Sequence, residues 1–128
     1  MLRIAIGLVI AAHGIGHILF LVPLLGLADW GQTPRSWLLT GEASARLIGG
    51  LIWVATIILY GGAVFGLWTV HLWWRDVAVI ASVVSTVGLI LFWSNPPTAP
   101  VISALVFDVV VLVALLIAHF PTVDAVGA

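Results

Sequence analysis

The stretch Val101-Ile102-Ser103-Ala104-Leu105-Val106-Phe107-Asp108-Val109-Val110-Val111-Leu112-Val113-Ala114-Leu115-Leu116-Ile117-Ala118 carries one charge inside an otherwise apolar run. About 20 mostly apolar residues in a helix cross a hydrocarbon core of about 30 Å, and runs of this kind recur along the whole chain. Of the 128 residues, 63% are hydrophobic and only 7% are charged, where a soluble domain carries roughly a quarter charged residues. A soluble fold is thereby excluded. The runs define four spans, about 2–27, 43–67, 77–93 and 99–119. Lipid leaves an open backbone unsatisfied, so each span is expected to be helical, and short connections make sequential neighbours antiparallel. The expected fold is all-α: an integral-membrane, up-down bundle of four transmembrane helices forming a single domain over residues 1–128.

The connections agree with this division. Asp29-Trp30-Gly31-Gln32-Thr33-Pro34-Arg35-Ser36-Trp37 is rich in turn formers and makes the one sizeable loop, with Gly41-Glu42 leading into the second span. His71 to Asp76 separates the second and third spans, and Ser94-Asn95-Pro96-Pro97-Thr98 ends the third, because proline lacks a backbone donor and restricts its predecessor. Trp30, Trp37, Trp68, Trp73, Trp74 and Trp93 all fall near span ends, where an amphipathic ring favours the headgroup zone; Trp53 alone lies within a span. Gly26 and Ala28 before Asp29 form a cleavage-like pattern, but the apolar region is long for a signal peptide and is read as a retained span.

The four basic residues are all Arg and are scattered, which argues against nucleic acid and against a polybasic lipid-binding segment. Without cysteine the chain has no thiol-redox, iron-sulfur or thiolate-metal chemistry of its own. With Arg3 and Arg75 on one side and Arg35 and Arg46 on the other, the positive-inside rule is close to balanced. The expected setting is the plasma membrane of a prokaryote with both termini cytoplasmic.

Asp108 is the chemical clue. It lies about nine residues after Ala99, roughly 14 Å into the bilayer. A carboxylate at the midplane costs about 2.5 to 3.5 kcal/mol and calls for a proton, hydrogen bonds or a cation. The candidate partners are His13, His17 and Arg46. His17 comes to a similar depth from the same side, and Arg46 begins the second span near that surface. His13 and His17 are spaced i, i+4 and share a helix face. Such a pair can fix packing through hydrogen bonds, contact a quinone or other small molecule, relay a proton, or hold a metal ion if Asp108 or Glu42 supplies a further ligand. Ser82, Ser85 and Thr86 share a face of the third span and are read as packing hydroxyls. Gly7, Ala11 and Gly14, and the pair Gly62 and Gly66, suit close helix approach within a bundle or in a homo-oligomer. Glu42 is placed to favour the start of the second helix.

Leu2-Arg3-Ile4-Ala5-Ile6-Gly7-Leu8-Val9, followed by Ala12-His13-Gly14 and by Leu47-Ile48-Gly49-Gly50, resembles the DoxX-like group of small four-helix membrane proteins. The resemblance covers mainly the first half of the chain. It implies four transmembrane helices and an association with quinone-linked or other membrane redox systems, the founding members being subunits of a thiosulfate:quinone oxidoreductase. His13 matches the family's His-Gly pair. His17 and Asp108 match no motif of the group, and Arg46 stands where members often have an acidic residue before the Gly-Gly pair. Two expectations follow: an accessory or quinone-linked redox subunit whose His13, His17, Arg46 and Asp108 bind a ligand or relay a proton, or a non-catalytic assembly subunit in which that cluster is a staple and Gly62 and Gly66 contact a partner. The cofactor expected is a quinone or a metal ion. The partners expected are the lipid bilayer, a membrane or redox protein, or a second copy. A solute transporter is disfavoured, since no convincing break interrupts the first span.

Overall fold

The computed structural model describes residues 1–127. Its helices are α1 (Leu2–Gly16), α2 (Ile18–Leu24), α3 (Glu42–Trp68), α4 (Trp74–Leu91), α5 (Ala99–Leu112), continued by a π-helical turn Val113–Ile117, and a short α6 (Val123–Val126). Four of these stretches are long and apolar enough to cross a membrane: Leu2–Leu24, Glu42–Trp68, Trp74–Leu91 and Ala99–Ile117. The chain is thus a multi-pass α-helical membrane protein, with no strand among the described residues. Exposed Leu, Ile, Val and Phe side chains coat the outside, as with Leu8, Ile15, Leu51, Ile58, Phe65 and Val106.

The spans end where backbone chemistry lets them. Leu25 closes α2 and Gly26 follows at φ +72°, a conformation open to glycine at no steric cost. Leu27 N–H then reaches Val22 O and Gly26 N–H reaches Pro23 O, the paired bonds of a Schellman cap. The α3 end repeats this geometry, with His71 N–H on Gly66 O and Val70 N–H on Leu67 O, but the left-handed position holds Val70 at φ 63°. The connection is thus Thr69 to Trp73, and α4 starts three residues ahead of the expected 77. The long loop folds over the end of α4. There the Ser36 hydroxyl donates to Leu91 O and the Trp37 indole to Ile90 O, satisfying carbonyls that a helix end leaves open. Beyond α5, Arg75 donates to Pro121 O at 2.7 Å, and α6, which apolar patterning had not flagged, folds back on α1.

One departure from ideal geometry sits inside the first span, at the junction of α1 and α2. The His17 imidazole Nδ1–H donates to His13 O at 3.0 Å, taking the acceptor that its own backbone N–H would use. That N–H turns to Gly14 O, so the ladder tightens to i→i−3 for one step. The first span, expected to be unbroken, is therefore interrupted at mid-height.

Packing follows the order α1, α3, α4, α5 around the bundle, while α1 and α5 do not pack closely. Gly14 shows why α1 and α3 approach so near: a Cβ there would lie 2.7 Å from Tyr60 Cβ. Gly7 similarly faces the Trp68 ring, and Gly66 faces Trp73 and Trp74. The small-residue positions Gly7, Gly14 and Gly66 are thus filled by the chain itself, which removes Gly66 from any partner interface. Trp74 is also corrected. Expected at the headgroups, it is 1% exposed because Gly66 leaves room for it, and Arg75 lies over its ring at 5.8 Å. Two apolar clusters result. One is centred on Ala63, Val64, Leu67, Ala78 and Val111, the other on Leu24, Trp53, Leu89, Phe92 and Val101.

Candidate functional site

Between the two apolar clusters lies a polar layer to which every span contributes. α1 and its junction supply His13 and His17, α3 supplies Thr56 and Tyr60, α4 supplies Ser82 and Ser85, and α5 supplies Asp108. His17, Thr56, Tyr60, Ser82, Ser85 and Asp108 are all buried.

Asp108 is the hub. Its Oδ1 accepts from His13 Nε2 at 3.0 Å and from the Tyr60 hydroxyl at 2.5 Å. Tyr60 accepts in turn from the Ser82 hydroxyl at 2.9 Å, so a chain runs Ser82, Tyr60, Asp108, His13 across four helices. Asp108 Oδ2 is buried and has no hydrogen-bond partner among the described residues.

His17 forms a second branch. A backbone carbonyl can only accept, so Nδ1 carries the hydrogen on the bond to His13 O. In the neutral ring Nε2 then presents a lone pair, which accepts the Ser85 hydroxyl at 2.7 Å. The His13 and His17 rings meet edge-on with centroids 4.8 Å apart, and Phe107 stacks on His13 at 3.9 Å.

The loose α1–α5 seam opens this layer sideways toward the lipid face. A cavity of about 300 Å³ lies between Ala12, His13, His17 and Phe20 on one side and Ser103, Ala104 and Phe107 on the other. Beyond Phe107 the seam continues as an apolar cavity of about 280 Å³ lined by Val9, Ile10, Trp74, Val110 and Phe120. Phe107 lines both cavities, and it stacks on His13, which lines the first.

Three of the expected residues, His13, His17 and Asp108, are brought together, with ligand atoms all within 4.8 Å of one another. Arg46 is not among them. It donates to Glu42 Oε1 at 2.9 Å in an exposed ion pair one turn into α3, about 21 Å along the helix from Tyr60. Glu42 is removed from the candidate ligands for the same reason. The donor expected of Arg46 is Tyr60, the only tyrosine in the chain. Its signal was available: a tyrosine far from a span end is outside the usual headgroup zone and needs a partner for its hydroxyl. Ser82 and Ser85, read as packing hydroxyls, do bond across helices, yet their partners are the site residues themselves. Thr86 has a buried hydroxyl with no partner among the described residues.

Comparisons with family models, with curated proteins and with solved structures each find no match. Fold and site geometry therefore define the class, a four-span membrane protein with a buried His-Asp-Tyr layer open to a lateral cleft.

Proposed function

We propose that the protein is an accessory subunit of a quinone-linked membrane redox system, with His13, His17, Tyr60 and Asp108 at the head-group end of the α1–α5 cleft. The observation that carries this reading is the position of His13, which lines the cleft while its Nε2 is bonded to the fully buried Asp108. An intramembrane ionisable pair of this kind marks a ligand or proton path by default. Its surroundings fit an amphiphile with a carbonyl head: the Ser103 hydroxyl is taken by Pro100 O and the His13 Nε2 hydrogen by Asp108, so His13 would hold the carbonyl from Nδ1 once that nitrogen carries a proton, and the Val9–Phe120 cavity offers an apolar bed for a hydrocarbon tail. The resemblance of the His13-Gly14 region to the DoxX-like group supports the same assignment. His13 can also pass a proton, received at Nδ1 and released from Nε2 to Asp108. Arg3, Arg75, Pro121 and Gly127 lie at one end of the bundle, which we assign to the cytoplasmic side of a prokaryotic plasma membrane.

The test is binding of a short-chain ubiquinone or menaquinone to detergent-purified protein, read by quenching of Trp53, whose ring lies 5.7 Å from His17. His13→Gln and Asp108→Asn are expected to weaken binding at least tenfold while folding is retained. Equal binding by these variants, or none by wild type, refutes the assignment. A second reading rests on the cross-helix bonds themselves. Linking four spans, the layer would serve as a staple in an assembly subunit, and Asp108→Asn would then lower thermal stability or complex formation alone.

A further inference from the structure

We propose that His13, His17 and Asp108 form a binding site for a divalent transition-metal ion, an inference independent of the quinone assignment. Three observations converge on it. The two imidazoles and the carboxylate bring their ligand atoms within 4.8 Å of one another in a polar layer flanked by two apolar clusters. Asp108 has a second oxygen, Oδ2, that is buried and bonded to nothing among the described residues, an acceptor in want of a cation. His17 already holds the posture of a metal ligand, its Nδ1–H fixed on a backbone carbonyl and its Nε2 lone pair turned inward.

The geometry needs little change. Metal–nitrogen and metal–oxygen distances of about 2.0 to 2.2 Å set neighbouring ligand atoms about 3 to 3.5 Å apart. His13 Nε2 and Asp108 Oδ1 are at 3.0 Å already. Ligand atoms up to 4.8 Å apart close by about 1.5 Å if the His17 ring turns away from Ser85, whose hydroxyl can then bond the Ala81 carbonyl one turn back. His13 ligates through Nε2 when its proton moves to Nδ1, which has no partner among the described residues. Tyr60, donating to Asp108, orients the carboxylate from behind, as the outer partners of metal ligands do. Two imidazoles with one carboxylate leave coordination positions open, and this nitrogen and oxygen set suits Fe(II), Zn(II), Cu(II) or Ni(II) rather than Mg(II) or Ca(II).

The experiment is metal analysis of tag-free protein in detergent, followed by chelation and titration with Co(II) as an optical probe and with Fe(II) and Zn(II). Wild type is expected to retain one equivalent per chain through gel filtration. His17→Gln and Asp108→Asn should lose at least tenfold in affinity with helical content unchanged. The double variant His71→Gln/His119→Gln, which alters the two remaining histidines, should keep the equivalent. Ser85→Ala guards against misfolding of the Asp108 variant, since freeing His17 Nε2 should leave binding as tight or tighter. The proposal is overturned if wild type binds no ion, if His17→Gln binds as well as wild type, or if Ser85→Ala folds but loses the ion. Quinone binding measured on the chelated protein separates the two assignments, because each can then fail alone.

Discussion

Replacing Tyr60 with phenylalanine keeps the ring and removes only the hydroxyl, so it isolates the bond that ties α3 to Asp108. Two interactions end, the 2.5 Å bond to Asp108 Oδ1 and the 2.9 Å bond from Ser82. Ser82 recovers part of its loss by turning to the Ala78 carbonyl in its own helix. Asp108 does not: it keeps His13 alone. Hydrogen bonds between membrane helices average about 0.6 kcal/mol and reach about 1.7, whereas bonds to an ionised group contribute about 1.5 to 3 kcal/mol. Two donors converge on Asp108 Oδ1 and neither on Oδ2, and the larger range applies when that acceptor is charged. The expected cost of Tyr60→Phe is therefore about 1.5 to 2 kcal/mol, roughly a ten- to thirtyfold change in the unfolding equilibrium.

The same change in an Asp108→Asn background should cost only about 0.6 kcal/mol, because the amide oxygen still accepts but carries no charge. The double-mutant cycle then yields a coupling of about 1 kcal/mol. Reversible unfolding in mixed micelles with increasing dodecyl sulfate, followed by tryptophan fluorescence, measures all four corners. Costs under about 0.3 kcal/mol for Tyr60→Phe, or strict additivity with Asp108→Asn, would refute the view that a charge-assisted bond holds the layer.

Three further changes probe the frame around the site. Val70→Gly should stabilise the protein by about 0.5 to 1 kcal/mol, since a left-handed residue with a Cβ costs about 1 to 2 kcal/mol and glycine's entropy returns only part of it; a lowered thermal midpoint would contradict the cap assignment. Gly14→Val forces a side chain into Tyr60 Cβ, which a Cβ would meet at 2.7 Å, and should cost about 1 to 3 kcal/mol or more in the same unfolding assay. Arg46→Gln removes an exposed i, i+4 pair and should change stability by less than about 0.5 kcal/mol, with ligand and metal titrations superimposable on wild type.

The four spans were readable from composition alone, because the cost of unsatisfied backbone in lipid leaves an apolar run of this length little choice of structure. Depth was readable too: counting residues from Ala99 and Leu27 brings Asp108 and His17 to one level, and their ligand atoms lie within 4.8 Å there. What counting cannot supply is rotation about each helix axis. Arg46 is a candidate partner by its place at the start of the second span, but the axial distance from Tyr60 and the nearby Glu42 keep it at the surface. Tyr60, which the apolar pattern does not single out, and Ser85, read as a packing hydroxyl, carry no charge, and their roles arise only when α3 and α4 turn them toward Asp108 and His17. Trp74 shows the same limit, a span-end tryptophan drawn inside by the space that Gly66 leaves one helix away.

The break at His17 and the polar layer share one cause. A histidine that bonds the carbonyl one turn back gives up regular helix geometry, which an apolar residue at that position would keep. In exchange, the Nδ1–H is held on a backbone carbonyl and Nε2 is directed to Ser85. If the layer were only a staple, His17→Leu, which removes the bonds to His13 O and Ser85, should lower the thermal midpoint by the same amount with or without metal. If the layer holds an ion, the same variant should also lose the stabilisation that added metal gives to wild type. Thermal midpoints of wild type and His17→Leu, each with and without Co(II), distinguish the two. A metal-induced rise of equal size in both proteins would leave His17 a packing residue and the helix break without a function.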